Sequence, residues 1–118
     1  VVVTGFVDDL APWYRAATVF VSPLLVAGGL LQKVIDAMAM GVPVVATTVC
    51  NHGLGGEPGV HLVTADAPDD FAAAILALLE DAAARAQMAE AARAFVTTTY
   101  DVDAAVARWD ATIRSLTA

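Results

Sequence analysis

The residues with the clearest chemical potential lie close together: Gly28, Gly29 and Leu30, then Lys33 and Asp36, within SPLLVAGGLLQKVIDAMAMGVPVVAT. Paired glycines let a backbone approach a ligand closely. A helix opening just after them turns its unpaired N–H groups and the positive end of its dipole towards that ligand, so the place suits an anion. Lys33, one turn into the helix, adds a fixed positive charge for a phosphate. Asp36, three residues later on the same face, can read a hydroxyl-bearing sugar. Spacing alone leaves a second reading open, in which the glycines merely turn the chain and Lys33–Asp36 is a surface ion pair worth a few tenths of a kcal/mol. Against that pair stand its neighbours Leu30, Leu31, Val34, Ile35, Ala37 and Met38, which leave it little solvated face. Charged residues on a mostly buried helix usually have a partner or a task.

These residues need elements to hold them. Val1 to Val7 reads as a strand, and Asp8 and Asp9 before LAPWYRAA read as caps of a short helix rather than as a general acid and base. Thr18 to Ser22 and Pro43 to Thr47 are apolar runs without polar alternation, which predicts strands buried on both faces. Leu30 to Met40 predicts a buried helix closed by Gly41. Gly53 to Gly59 is a loop and Val60 to Thr64 a fourth strand. Asp66, Asp81 and Asp101 then stand where N-caps belong, before helices expected at 68–80, 82–98 and 102–116. Strands alternating with helices imply an α/β fold, a Rossmann-like parallel sheet with flanking helices. Ligands in such sheets bind at the carboxyl ends of the strands, here the loops Val7 to Leu10, Pro23 to Gly29 and Thr48 to Gly53.

Composition narrows the partners. With 118 residues, 58% of them hydrophobic and 16% charged, one packed domain is expected. The net charge of -7 and a single lysine, Lys33, argue against nucleic-acid or anionic-membrane binding, so a phosphate must be held locally. The longest apolar run, Phe71 to Leu79, is about half of the roughly 18 residues that a membrane span needs. One cysteine, Cys50, reads as a small buried side chain in a reducing, cytoplasmic setting. His52 and His61 lie in different elements, and neither a metal site nor a cofactor is expected. Phe6, Trp13, Tyr14, Phe20 and Trp109 read as core or interdomain packing rather than stacking platforms.

Three stretches, VTGFVDDLAPWYRAATVFVSP, KVIDAMAMGVPVVAT and the GxHLV strand with DAPDDFAAAILALLED, resemble the retaining GT-B glycosyltransferases of family 4. The acidic residue directly before AMAMGVPVVAT is the most specific mark. The resemblance implies a truncated donor-binding C-terminal domain over 1-118, from an enzyme that transfers a sugar from a nucleotide diphosphate sugar to an acceptor bound by a missing N-terminal domain. Asp36 matches the family's glutamate on the donor ribose, one methylene shorter. Gly28 stands where many members carry an acid near the transferred sugar, and Lys33 matches a lysine of branches with glycines in this loop. The backbone of Phe6 and Val7 matches the wall of the base site. The implied donor-binding set is therefore Phe6, Val7, Gly28, Gly29, Leu30, Lys33 and Asp36, with no catalytic residue in this stretch. Gly28 and the shortened Asp36 equally suit a non-catalytic, degenerate domain kept for protein interaction. A sheet cut from a larger one exposes an edge, through which self-association is expected.

Overall fold

The computed structural model describes residues 1–117. Three strands, β1 Phe20–Ser22, β2 Val44–Ala46 and β3 Val63–Thr64, form a parallel sheet in the order β1-β2-β3. Phe20 registers with Val44, and Val45 with Val63. Six helices complete the described chain: α1 Ala11–Ala16, α2 Gln32–Ala39, α3 Thr48–His52, α4 Pro68–Glu80, α5 Ala82–Thr99 and α6 Val102–Thr117.

The apolar central strand β2 is explained by cover on both faces, whereas β1, expected to be buried on both sides, lies at the sheet edge and leaves Val21 exposed. Val44 and Ala46 pack with Val34, Ala37 and Met38 of α2 and with Ala92 and Val96 of α5. Val45, pointing the other way, meets Leu78 and Met88, with Phe71 and Ile75 beside them. All three β2 residues are fully buried, so the central strand has no position for a polar side chain.

Helix ends follow local chemistry. At the end of α2 the N–H of Gly41 donates to the Met38 carbonyl at 3.0 Å and that of Val42 to Ala37 at 2.9 Å. This paired closure needs a left-handed residue, and Gly41 supplies it at φ 74°. Asp81 accepts the Ala84 N–H at 2.9 Å to open α5, and Asp101 that of Ala104 at 3.0 Å to open α6. Both caps stand where the sequence puts them. On α6, Val102, Val106, Trp109, Ile113 and Leu116 are all exposed and no residue is buried. No helix among the described residues is long and apolar enough to cross a membrane.

Four expectations are corrected. Val1 to Val7 pairs with no strand: Gly5 adopts φ 66°, and Val1, Val2, Val3 and Phe6 stay exposed because no neighbour covers them. The strand expected over Val60 to Thr64 keeps only Val63–Thr64. Its first half is a turn, in which the N–H groups of Val60 and His61 both donate to the Glu57 carbonyl, at 3.2 and 2.9 Å. Thr48 to Gly53, expected as a loop, contains helix α3. Asp66 does not cap α4, whose N-cap position is Ala67 with Pro68 following. Instead it accepts from the Thr48 N–H at 2.8 Å and the Thr48 hydroxyl at 2.7 Å, and so holds the start of α3. Of the aromatics, Tyr14 and Phe20 pack on the core, whereas Phe6, Trp13 and Trp109 lie exposed outside it.

Hydrogen bonds from the Thr48 hydroxyl and N–H lower the pKa of the Asp66 carboxyl from its ordinary value. Such a group stabilises the fold fully above about pH 4, where the unfolded chain is also ionised, and the contribution disappears as pH falls through the lowered folded-state value. Asp66→Ala is therefore expected to melt below the parent at neutral pH, with the gap closing in acid. Thermal melts of both proteins across that range are the check, and a gap that persists below the folded-state pKa refutes the assignment.

Candidate functional site

The carboxyl rim of the sheet is stitched by the residues that follow the strands. The Thr47 N–H donates to the Ser22 carbonyl at 3.2 Å, and its hydroxyl donates to the Leu24 carbonyl at 2.6 Å. Cys50 packs beneath them, fully buried, with its Sγ 3.1 Å from the Thr47 hydroxyl and 3.5 Å from that of Ser22. Burial pushes the Cys50 thiol up, but hydrogen bonds from Ser22, Thr47 and the backbone outweigh it and leave its pKa lowered. The thiol is thus part of the scaffold, as its burial in the sequence reading implied. His52 ends α3 and is exposed.

The same rim seats the glycine loop. Gly29 turns it at φ 70°, and Gly53, just past α3, packs so closely on it that a Cβ there would lie 2.5 Å from the Gly29 carbonyl oxygen. A Cβ on Gly28 would meet nothing within 4 Å. From this loop α2 opens at Leu31, in extended conformation and with no side-chain cap. The Leu31 carbonyl accepts from Val34 and Ile35, at 3.1 and 3.3 Å. Among the described residues the N–H groups of Gln32 and Lys33 have no acceptor, as at any uncapped helix start.

Beyond that start, the buried positions Val34, Ile35, Ala37 and Met38 face the core, leaving Lys33 exposed and Asp36 half-buried. The two do not form an ion pair: among the described residues the salt bridge is Arg114–Asp110 on α6. Asp36 accepts instead from Gln32 Nε2 at 2.9 Å. It also lines a cavity of about 230 Å³ with Asp9, Leu10, Ala11, Tyr14, Ala39 and Met40. The Tyr14 hydroxyl donates to the Lys33 carbonyl at 3.2 Å, and its pKa is raised by burial and then by the Asp36 carboxylate.

The structure therefore separates the candidate residues into two adjoining parts. Gly28, Gly29, Leu30 and Lys33 form the helix start, and Asp36 belongs to a cavity about one turn further along. Phe6 and Val7 precede the segment that lines this cavity but are not among its walls, and Phe6 is 91% exposed. Sequence reasoning missed Tyr14 and Asp9 as walls. Asp9 carried a cap signal, but the N-cap of α1 is Leu10, with no side-chain cap; Asp9, one residue earlier, accepts the Ala11 N–H on its Oδ1 at 2.9 Å.

Residues 1–81 match the sequence model of the family described as glycosyl transferases group 1. The fold is similar to that of the C-terminal domain of LpcC, a glycosyl transferase group 1 family protein from Francisella tularensis, with a TM-score of 0.73. The two are 24% identical over 83% of this chain and 52% of that one, so this chain spans about half of the solved structure's length and the likeness is one of fold. No protein of curated function matches this sequence.

The packing of the two glycines gives a paired test. Gly53→Ala forces a methyl against backbone that cannot move freely, and a loss of about 1 to 3 kcal/mol is expected, the usual scale of overpacking. Gly28→Ala, into open space, is expected to change stability by no more than about 0.5 kcal/mol. Urea unfolding of the two variants measures both, and equal losses would contradict the loop seating described.

Proposed function

This chain belongs to the glycosyl transferases of group 1, and from that premise we propose that it binds the nucleotide diphosphate sugar of a retaining transferase. The observation that carries the reading is the order of chemistry along α2. Donors without acceptors stand at its start, at Gln32 and Lys33, and a carboxylate with one oxygen already held by Gln32 follows at Asp36. Three to four residues of helix rise about 5 to 6 Å, the scale that separates a diphosphate from its ribose. The Gly28–Leu30 loop and the Lys33 ammonium then take the diphosphate. The free oxygen of Asp36 accepts from the ribose hydroxyls.

In the transfer, the bond between the anomeric carbon and the diphosphate oxygen breaks, a bond from that carbon to the acceptor hydroxyl oxygen forms on the same face, and the hydroxyl proton leaves with the departing diphosphate. Negative charge grows on the leaving diphosphate. Fixed N–H groups at a helix start meet that charge without having to reorganise, which lowers the barrier, and this stabilisation calls for no metal. Gly28 offers no side chain to the transferred sugar, so contacts to the sugar and the acceptor fall to a second domain.

Removing the charged hydrogen bonds of Asp36 is expected to cost about 1.5 to 3 kcal/mol of donor affinity, roughly 10- to 150-fold. Titration calorimetry of Asp36→Ala in the intact two-domain enzyme checks this, and unchanged affinity removes Asp36 from the site. Binding of the donor also separates this reading from a non-catalytic interaction module. The 118 residues alone are expected to bind donor weakly and release no nucleotide diphosphate above the rate of hydrolysis. One wall of a cleft cannot orient donor against acceptor, an effect worth several kcal/mol. Sustained turnover by the 118-residue chain would show that it is a complete enzyme.

A further inference from the structure

We propose that Tyr100, at the junction of α5 and α6, is a positioning residue for the glycine loop and acts on it through Gly53. The proposal rests on the reading that the Gly28–Leu30 loop takes the donor diphosphate, and it concerns what keeps that loop in place.

The loop has little to hold it from within. Gly28 and Gly29 carry no side chains, Leu30 is exposed, and α2 opens after them without a side-chain cap. The support comes from Gly53. A Cβ there would lie 2.5 Å from the Gly29 carbonyl oxygen and 3.4 Å from the Leu30 nitrogen, so the two backbones meet across the Gly29–Leu30 peptide. Any shift of Gly53 therefore reaches the peptide that leads into α2.

Gly53 in turn has no side chain to anchor it. Its segment is pinned further on, where the Asn51 side chain holds the N–H and the carbonyl of Gly56, at 2.9 and 2.7 Å. The His61 ring stacks on Phe95 with centroids 4.4 Å apart. At Gly53 and Leu54 themselves, among the described residues, the donor to the carbonyls is the Tyr100 hydroxyl, 2.5 Å from the Leu54 oxygen and 3.5 Å from that of Gly53. Burial raises the Tyr100 phenol above its ordinary pKa, so the hydroxyl keeps its proton and donates at neutral pH.

The other end of this brace is firm. The Tyr100 N–H donates to the Val96 carbonyl at 2.8 Å, its ring meets Phe95 edge-on at 6.1 Å, and the next residue, Asp101, caps α6. Helix α5 is itself packed on α2, with Ala92 and Val96 in one core with Val34, Ala37 and Met38. The constraints thus form a closed ring. The loop leads into α2 and leans on Gly53, Tyr100 holds the Gly53 segment, and the helix that ends at Tyr100 packs on α2. Removing the hydroxyl opens that ring at one point and takes away no apolar contact. Hydrogen bonds weaken steeply with distance and angle, so a loop that has moved meets a diphosphate less well.

Titration calorimetry of Tyr100→Phe in the intact protein tests this, with UDP, GDP and ADP as ligands and their nucleosides measured by displacement. The diphosphate that the parent binds most tightly is expected to lose about five- to ten-fold in affinity, while its nucleoside, with nothing for the loop to hold, stays within about two-fold. A merely structural role lowers the melting temperature but leaves the ratio of diphosphate to nucleoside affinity as in the parent, and that result overturns the proposal. Hydrogen exchange in the unaltered protein decides the matter even if the variant fails to fold. Because coupling is reciprocal, the diphosphate is expected to slow exchange at the amides of Gly53, Leu54 and Tyr100 more than the nucleoside does. Equal protection by the two also overturns it. Failure of the underlying reading looks different and removes both, since no diphosphate would then bind the parent more tightly than its nucleoside.

Discussion

Two threonines at the carboxyl end of the central strand hold the three strand ends in register, and the geometry of the rim depends on them. Thr47 ties the segment after β1 through the Ser22 and Leu24 carbonyls, and Thr48 is held in turn by Asp66 after β3. Ser22 and Thr47 are the buried polar residues of a core that is otherwise apolar. Leaving such a hydroxyl without a partner costs about 1 to 3 kcal/mol, so each interaction constrains the next. Through α3 the constraint reaches Gly53, whose contact with Gly29 fixes where the glycine loop turns. The position of the α2 start is thus set by β2 and its neighbours as much as by its own sequence.

Helix α2 reconciles two demands that compete for the same eight residues. It must cover one face of β2, which takes Val34, Ile35, Ala37 and Met38. What remains to carry chemistry is the outer stripe of Gln32, Lys33 and Asp36. On such a stripe residues at i and i+4 touch, and the pairing that forms is Gln32 with Asp36 rather than Lys33 with Asp36. Among the described residues the lysine is thereby left free of an internal partner at the helix start, while the carboxylate is oriented without being neutralised.

The parts of this fold that are legible in the sequence are those decided within a few residues. Gly41 announces the end of α2, Asp81 and Asp101 announce the starts of α5 and α6, and the unbroken apolar runs at Phe20 and Val44 announce strands, of which only the central β2 is buried on both faces while Val21 of the edge strand β1 is exposed. The errors arise where the decision is made at a distance. Val1 to Val7 has the composition of a strand, but composition cannot supply the neighbour that a ladder needs. Asp66 has the spacing of a cap for α4, yet the stronger donors, an N–H and a hydroxyl, both belong to Thr48, eighteen residues away in the chain. Helix α3 is invisible for the same reason: five residues with a β-branched start have little propensity of their own, and the carboxylate that anchors them comes from beyond β3. In the candidate site, the glycines, Lys33 and Asp36 stand out by type and spacing. Tyr14 does not, because an aromatic residue on a short helix reads as packing until the opposite wall is known.

On the proposed reading an acidic chain binds a dianionic ligand, and the arrangement around α2 meets that electrostatic problem by separation rather than by added charge. With a net charge of -7, the field of the protein opposes any phosphate on approach. Backbone N–H groups at a helix start attract it only within hydrogen-bond range, so they define a place without drawing the ligand from afar. The two carboxylates one turn further on make the neighbouring cavity hostile to phosphate and receptive to hydroxyl and N–H donors. On the proposed reading the donor has only one favourable polarity along the helix, with diphosphate at Gly29 and ribose at Asp36, and the reversed pose places like charges together. Repulsion at Asp9 and Asp36 then adds to the orientation that attraction at Lys33 gives. On that reading, a site with a single lysine fixes the reacting end of its donor.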